Sequence, residues 1–209
     1  MKDINRIVIA GMGALGMLYG DQIRKGAEGA SLCFLMDEAR KKRHESDVYR
    51  INGEVCEYDV RTPEEYEGAA DLVIVATKYG ALRDAAELIR PVVDQDTTII
   101  SVLNGISSEE ILAEYYNYDQ IIDCVAIGMD AMRDGSELTY QNAGRLQIGT
   151  RSEDQQARLD QLAAFMEHAN MPHEVRADIK HAMWNKFMIN VGINQTCMVY
   201  NTTYSGAVA

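Results

Sequence analysis

The chain has 209 residues, with 32 acidic against 20 basic side chains and a net charge of −12. That balance excludes a nonspecific nucleic-acid binder, which needs a basic surface, and the Arg40-Lys41-Lys42-Arg43 cluster is too short to reverse it. No run of about 18 apolar residues exists, so no membrane partner is expected.

The opening, Met1-Lys2-Asp3-Ile4-Asn5, lacks the charged-then-apolar design of a leader peptide, so a cytoplasmic protein is expected. It enters an apolar run, Ile7-Val8-Ile9-Ala10, of the kind found in buried parallel strands. Gly11-Met12-Gly13-Ala14-Leu15-Gly16 follows, matching G-x-G-x-x-G, and a helix-compatible stretch runs from Ala14 to Lys25. In that context the motif predicts a dinucleotide site. Gly11 permits the tight turn, Gly13 lets the pyrophosphate approach the backbone, and Gly16 lets the helix pack on the strand. Ala14 and Leu15 open the helix, whose free N–H groups face the phosphates.

Ser31 to Met36 reads as a second strand, ended by Asp37, 21 residues after Gly16. An acidic group there bonds the ribose 2′-OH of NAD and repels a 2′-phosphate. Arg50-Ile51-Asn52-Gly53-Glu54 supplies an Asn-Gly turn and predicts a hairpin insertion. Asp71 to Thr77, Thr98 to Leu103 and Ile121 to Ile127 are further strands. The Gly-punctuated region ending in Leu146-Gln147-Ile148-Gly149 is expected to form antiparallel strands at the sheet edge. Ser152 to Ala169 carries an apolar stripe at helical spacing, and Met171-Pro172 ends it.

From Asp178 a second long helix is predicted to about Tyr200. It places Lys186, Asn190 and Asn194 at i, i+4 and i+8, on one face of a largely apolar helix. Such a trio is either a solvated stripe or the lining of a polar cleft. Cys33, Cys56, Cys124 and Cys197 are far apart, with no C-x-x-C pair, and read as free thiols; no metal site is expected. The fold class is α/β: a Rossmann-type dinucleotide-binding domain over residues 1–170, then the start of an all-helical domain over 171–209.

Four pieces stand in order: the glycine hexad, Ala76-Thr77-Lys78, Leu103-Asn104-Gly105, and Trp184-x-Lys186-x-x-x-Asn190-x-x-x-Asn194. Together they resemble the ketopantoate reductase (2-dehydropantoate 2-reductase) family, from residue 4 to about 200. The resemblance implies an oxidoreductase that reduces ketopantoate to pantoate with hydride from a nicotinamide cofactor, on the route to pantothenate and coenzyme A. It implies that Lys186 is catalytic, holding the ketone oxygen and supplying its proton, with Asn104 beside it and the nicotinamide. Lys78 would help hold the cofactor, and Asn190 and Asn194, with Lys186, would position the substrate. NADP(H) is the cofactor by resemblance; NAD(H) is the cofactor that Asp37 favours.

Two departures matter. The family's further Asn-Gly pair, about 18 residues beyond the lysine, is matched only loosely by Asn201-Thr202-Thr203-Tyr204-Ser205-Gly206. Family members also carry a longer helical C-terminal domain with substrate-site residues, so the 209-residue chain alone is expected to bind cofactor and to reduce ketopantoate poorly. Two other functions stay open, a non-catalytic dinucleotide-binding module and a reductase of a different keto acid, and a homodimer is an open option.

Overall fold

Short apolar runs, each followed by a helix, bury both faces by lying side by side under their own crossover helices. The computed structural model, which describes residues 3–207, has this arrangement; Met1-Lys2 and Val208-Ala209, and the side chain of Ser205, lie outside the described residues.

In chain order, β1 (Arg6–Ala10) leads through α1 (Ala14–Gly26) to β2 (Ser31–Leu35) and α2 (Glu38–His44). β3 (Tyr49–Ile51) and β4 (Glu54–Cys56) form the expected hairpin, with Asn52 at φ 51° and Gly53 at φ 84° in its turn. β5 (Asp59–Arg61), β6 (Leu72–Val75), α3 (Leu82–Leu88), β7 (Thr98–Ser101) and α4 (Ser108–Leu112) come next. β8 (Ile121–Met129), β9 (Met132–Asp134), β10 (Glu137–Thr139) and β11 (Ala143–Gly149) precede α5 (Gln156–His168) and β12 (His173–Val175). Finally α6 (Ile179–Ile189) runs through a π-helical segment (Asn190–Asn194) into α7 (Gln195–Tyr200), and α8 (Tyr204–Ala207) follows.

The main sheet has eight strands in the order β12-β11-β8-β7-β6-β1-β2-β5. From β5 to β8 every neighbouring pair is parallel. β11 pairs antiparallel with β8, as expected, and β12 pairs parallel with β11, so the sheet extends past residue 170. One face is covered by α1 and α5 through Met17, Leu18, Leu159 and Leu162; the other is covered by α3 and α4 through Leu82, Ala86 and Leu112. Each buried leucine or methionine among these contributes about 1.5–3 kcal/mol. The chain leaves β1 on one side to make β2 and returns on the other to make β6. That reversal opens a crevice at the carboxyl end of β1, where open α/β sheets bind ligands.

One expectation needs correction. β9 and β10 do not lie at the edge of the main sheet. They join the hairpin in a separate four-stranded sheet, β4-β3-β10-β9, through a parallel pairing of Arg50 with Glu137 and Ile51 with Leu138. The physical reason is burial: Tyr49, Ile51 and Leu138 are apolar and lose their exposure only by stacking together against α1. Asp21 of α1, fully buried, fixes the contact by accepting from the Tyr140 hydroxyl at 2.9 Å. Among the described residues no helix is long and apolar enough to cross a membrane.

Candidate functional site

The glycine turn, Asp37, Thr77-Lys78 and Asn104 all emerge at the carboxyl edge of the main sheet. Asp37 follows β2, the glycine turn follows β1, Thr77-Lys78 follows β6 and Asn104 follows β7, while Ala126 lies on β8. In space those strands run β2, β1, β6, β7, β8. Four steps of about 4.8 Å each give a row about 19 Å long, suited to an extended ligand.

The glycine turn is shaped by its own backbone. Gly11 has φ +108°, and a Cβ there would meet the Ala76 carbonyl oxygen at 2.6 Å. A Cβ on Gly16 would meet the Gly11 carbonyl oxygen at 2.0 Å, which is how closely α1 packs on β1. Gly13 differs: the nearest atom to its Cβ position is 3.8 Å away, so its missing side chain keeps the surface open. Ala14 and Leu15 form the first turn of α1, which has no acidic residue to compete for its N–H groups.

In front of this turn lies a cleft of about 550 Å³, lined by Gly11, Gly13, Asp37, Arg40, Thr77 and Lys78 among others. Asp37 caps α2, accepting from the Arg40 backbone N–H at 2.8 Å, and its carboxylate faces the Arg40 guanidinium at 3.5 Å. Half of the Asp37 side chain stays exposed at the cleft rim. In the rest of the basic cluster, Lys41 pairs with Glu65 and Lys42 with Glu38 at 3.2 Å. The Thr77 hydroxyl oxygen is buried and has no hydrogen-bond partner among the described residues.

At the other end of the row, α6 brings Lys186 over the sheet edge. Its Nζ donates to Asn104 Oδ1 at 2.8 Å and to the Ala126 carbonyl. Half-buried, the ammonium is held below the ordinary lysine value by desolvation, with the Cys124 thiol acting in the opposite direction. The lysine is thus tied to the sheet edge by two hydrogen bonds and is not free in solvent.

The long helix departs from expectation in one respect, since Asn190 and Asn194 fall in the π-helical segment. A four-residue step overshoots one turn of an α-helix slightly and falls short of one turn of the wider π-helix. The opposite drifts keep Asn194 over the face that carries Lys186. Asn194 Oδ1 accepts from the Tyr204 hydroxyl, while the half-buried Asn190 side chain makes no hydrogen bond among the described residues.

Other residues carry no sequence signal. Glu109 is 1% exposed and accepts from the Ser108 hydroxyl at 2.9 Å. Burial, then the neighbouring Asp123 carboxylate, push its carboxyl up to about 7. Asp123, also buried, pairs with Arg151. Ser107-Ser108-Glu109-Glu110 reads as an ordinary solvated helix start, and only the packing of α4 on β8 reveals the burial.

The family model described as "Ketopantoate reductase PanE/ApbA" matches residues 7–153. A 2-dehydropantoate 2-reductase of Streptococcus pyogenes serotype M3 is 24% identical over 200 residues, covering 94% of this chain. This chain spans 65% of the length of that relative. The crystal structure of a 2-dehydropantoate 2-reductase from Geobacter metallireducens GS-15 has a TM-score of 0.76 at 31% identity, over 92% of this chain and 64% of that one. A ternary structure of D-mandelate dehydrogenase with NADH and anilino(oxo)acetate shares the fold, with a TM-score of 0.82 at 21% identity over 94% and 64%.

Proposed function

This chain belongs to the ketopantoate reductase PanE/ApbA family, and we propose that its gene product reduces a 2-keto acid, 2-dehydropantoate foremost, to the 2-hydroxy acid. The observation that carries the proposal is Lys186 Nζ seated on Asn104 Oδ1 at 2.8 Å, on the carboxyl edge that also holds the glycine turn.

The residues fit a nicotinamide dinucleotide. The glycine turn and the N-terminus of α1 suit a pyrophosphate, with only the Ala76 carbonyl oxygen, 3.8 Å away, near the Cβ position of Gly13, and with Lys78 lining the same cleft. The Thr77 hydroxyl, buried without a partner at the cleft wall, is a further group for such a ligand to satisfy. Asp37 at the rim weights the choice towards NADH, against the NADPH that the family resemblance implies.

A bound reduced nicotinamide supplies the hydride. As hydride reaches the keto carbon, the carbonyl π pair moves onto oxygen and Lys186 gives that oxygen its proton; solvent returns the proton to the lysine. Desolvation makes this ammonium a stronger acid than an exposed lysine, which eases proton transfer near neutral pH. Its residual positive charge also stabilises the developing alkoxide. Asn104 accepts one Nζ–H and fixes the direction of the others. Asn190 and Asn194 position the substrate one and two turns further along the helix. In this account residues 1–170 hold the cofactor, and residues 171–209 begin the part that holds the substrate.

Following oxidation of NADH and NADPH by the full gene product with a panel of 2-keto acids tests the proposal. Turnover greatest with 2-dehydropantoate supports it in full, and turnover confined to another 2-keto acid replaces the substrate. Tight cofactor binding with no turnover of any 2-keto acid overturns it in favour of a non-catalytic binding module.

A further inference from the structure

The second sheet touches the dinucleotide cleft. Arg133 on β9 lies 121 residues from Met12 in sequence, yet its guanidinium donates to the Met12 carbonyl, inside the glycine turn. Its Nε donates to the Gly135 carbonyl at 2.8 Å, which fixes the side chain on its own hairpin. Among the described residues, Nη2 makes no hydrogen bond and no carboxylate forms an ion pair with the guanidinium. A half-buried cation aimed at a glycine turn and lacking an acidic partner is a counter-charge for an anion.

A second group points to the same ligand. Tyr49, on β3 of the same sheet, is 6% exposed, lines the cleft with Arg133, and has a buried hydroxyl with no hydrogen-bond partner among the described residues. Leaving a buried hydroxyl unpaired costs free energy that a ligand oxygen would recover. Arg40 and Lys41, by contrast, already face carboxylates of the chain. Among the described residues neither the Arg133 guanidinium nor the Tyr49 hydroxyl is hydrogen-bonded to a carboxylate, and both stand on one sheet beside one turn.

We propose that Arg133 and Tyr49 form a phosphate clamp: the second sheet reaches over the glycine turn and binds a phosphate of the dinucleotide from the side opposite α1. The proposal rests on the dinucleotide reading given above. It gives the second sheet a function in the binding site, that of carrying the clamp. The phosphate belongs either to the pyrophosphate or to the 2′-position of the adenosine ribose, and both present the same oxygen chemistry to a guanidinium.

Titration of Arg133→Met and Tyr49→Phe with NADH, NADPH and ADP-ribose tests this, with melting temperatures recorded in parallel. Arg50→Met serves as a control, since Arg50 is exposed on the same sheet and, among the described residues, its side chain donates only to the Gly53 carbonyl of its own turn. Arg133→Met should weaken binding about 10-fold or more, the size of one charge-assisted hydrogen bond. Tyr49→Phe should weaken it about 3-fold or more, and the control should not weaken it. Equal loss for all three ligands places the clamp on the pyrophosphate; loss confined to NADPH places it on the 2′-phosphate. Wild-type affinity for every ligand in Arg133→Met overturns the clamp. If Arg133→Met does not fold, wild-type affinity in Tyr49→Phe does so instead. Failure of the wild-type protein to bind any of the three would overturn the dinucleotide reading itself, a separate result.

Discussion

Glu109→Gln should stabilise the protein at neutral and higher pH and have no such effect in acid. The glutamate is 1% exposed beside Asp123, and its carboxyl is lifted from the ordinary 4.5 to about 7. Between those values the folded protein binds a proton that the unfolded chain has released, so stability falls as pH rises. The contribution is fully present below about pH 4.5 and is lost as pH passes through about 7. Each pH unit is worth about 1.4 kcal/mol, so the penalty levels off at about 3 kcal/mol near pH 8. Glutamine has the same shape, keeps the Ser108 hydroxyl as a partner and does not titrate. The substitution should therefore raise the melting temperature by about 6–12 °C near pH 8 for a chain of this size, and by little near pH 4. Thermal unfolding of both proteins across that range is the assay. Parallel stability profiles would refute the reasoning, because they would mean that Glu109 is not a buried, ionising group.

Asp37→Ser should raise the affinity for NADPH relative to NADH, by relieving repulsion of a 2′-phosphate at the cleft rim. Titration of both cofactors checks this, and an unchanged ratio would mean that the carboxylate serves only to cap α2. The 209-residue chain on its own should self-associate through the segment from α6 to α8, where Met188 is 60% exposed, Met198 77% and Tyr200 75%. Each such side chain gains about 1.5–3 kcal/mol on burial. Light scattering should find dimers or larger species that Met188→Glu with Met198→Glu disperses, and a monodisperse wild-type monomer would contradict it.

Much of the fold was legible because its determinants are local. The Ile7–Ala10 run, the glycine hexad and the following helix are contiguous, and the Asn52-Gly53 pair announces its own turn. Lys186 and Asn104 were legible as motifs, although their 2.8 Å contact spans 82 residues. What escaped depends on distant partners. The pairing of β3 with β10 brings Arg50 beside Glu137 with no local cue, and it carries Arg133 to the Met12 carbonyl. Asp21 and Glu109 are charged residues on helices, which read as solvent-facing, yet tertiary packing buries both. The π-helical segment at Asn190–Asn194 likewise has no glycine or proline signature that separates it from an α-helix; its single Gly192 is exposed and has open space around it.

In the proposed reaction Lys186 serves the reacting oxygen and not the cofactor. The most direct test of this role is Lys186→Met in the full gene product, with cofactor affinity and keto acid turnover measured on the same preparation. Turnover should fall by about 10²- to 10⁴-fold, the loss of a general acid, with cofactor affinity near that of the wild type. Near-normal turnover would contradict it, and so would loss of cofactor binding in step with turnover.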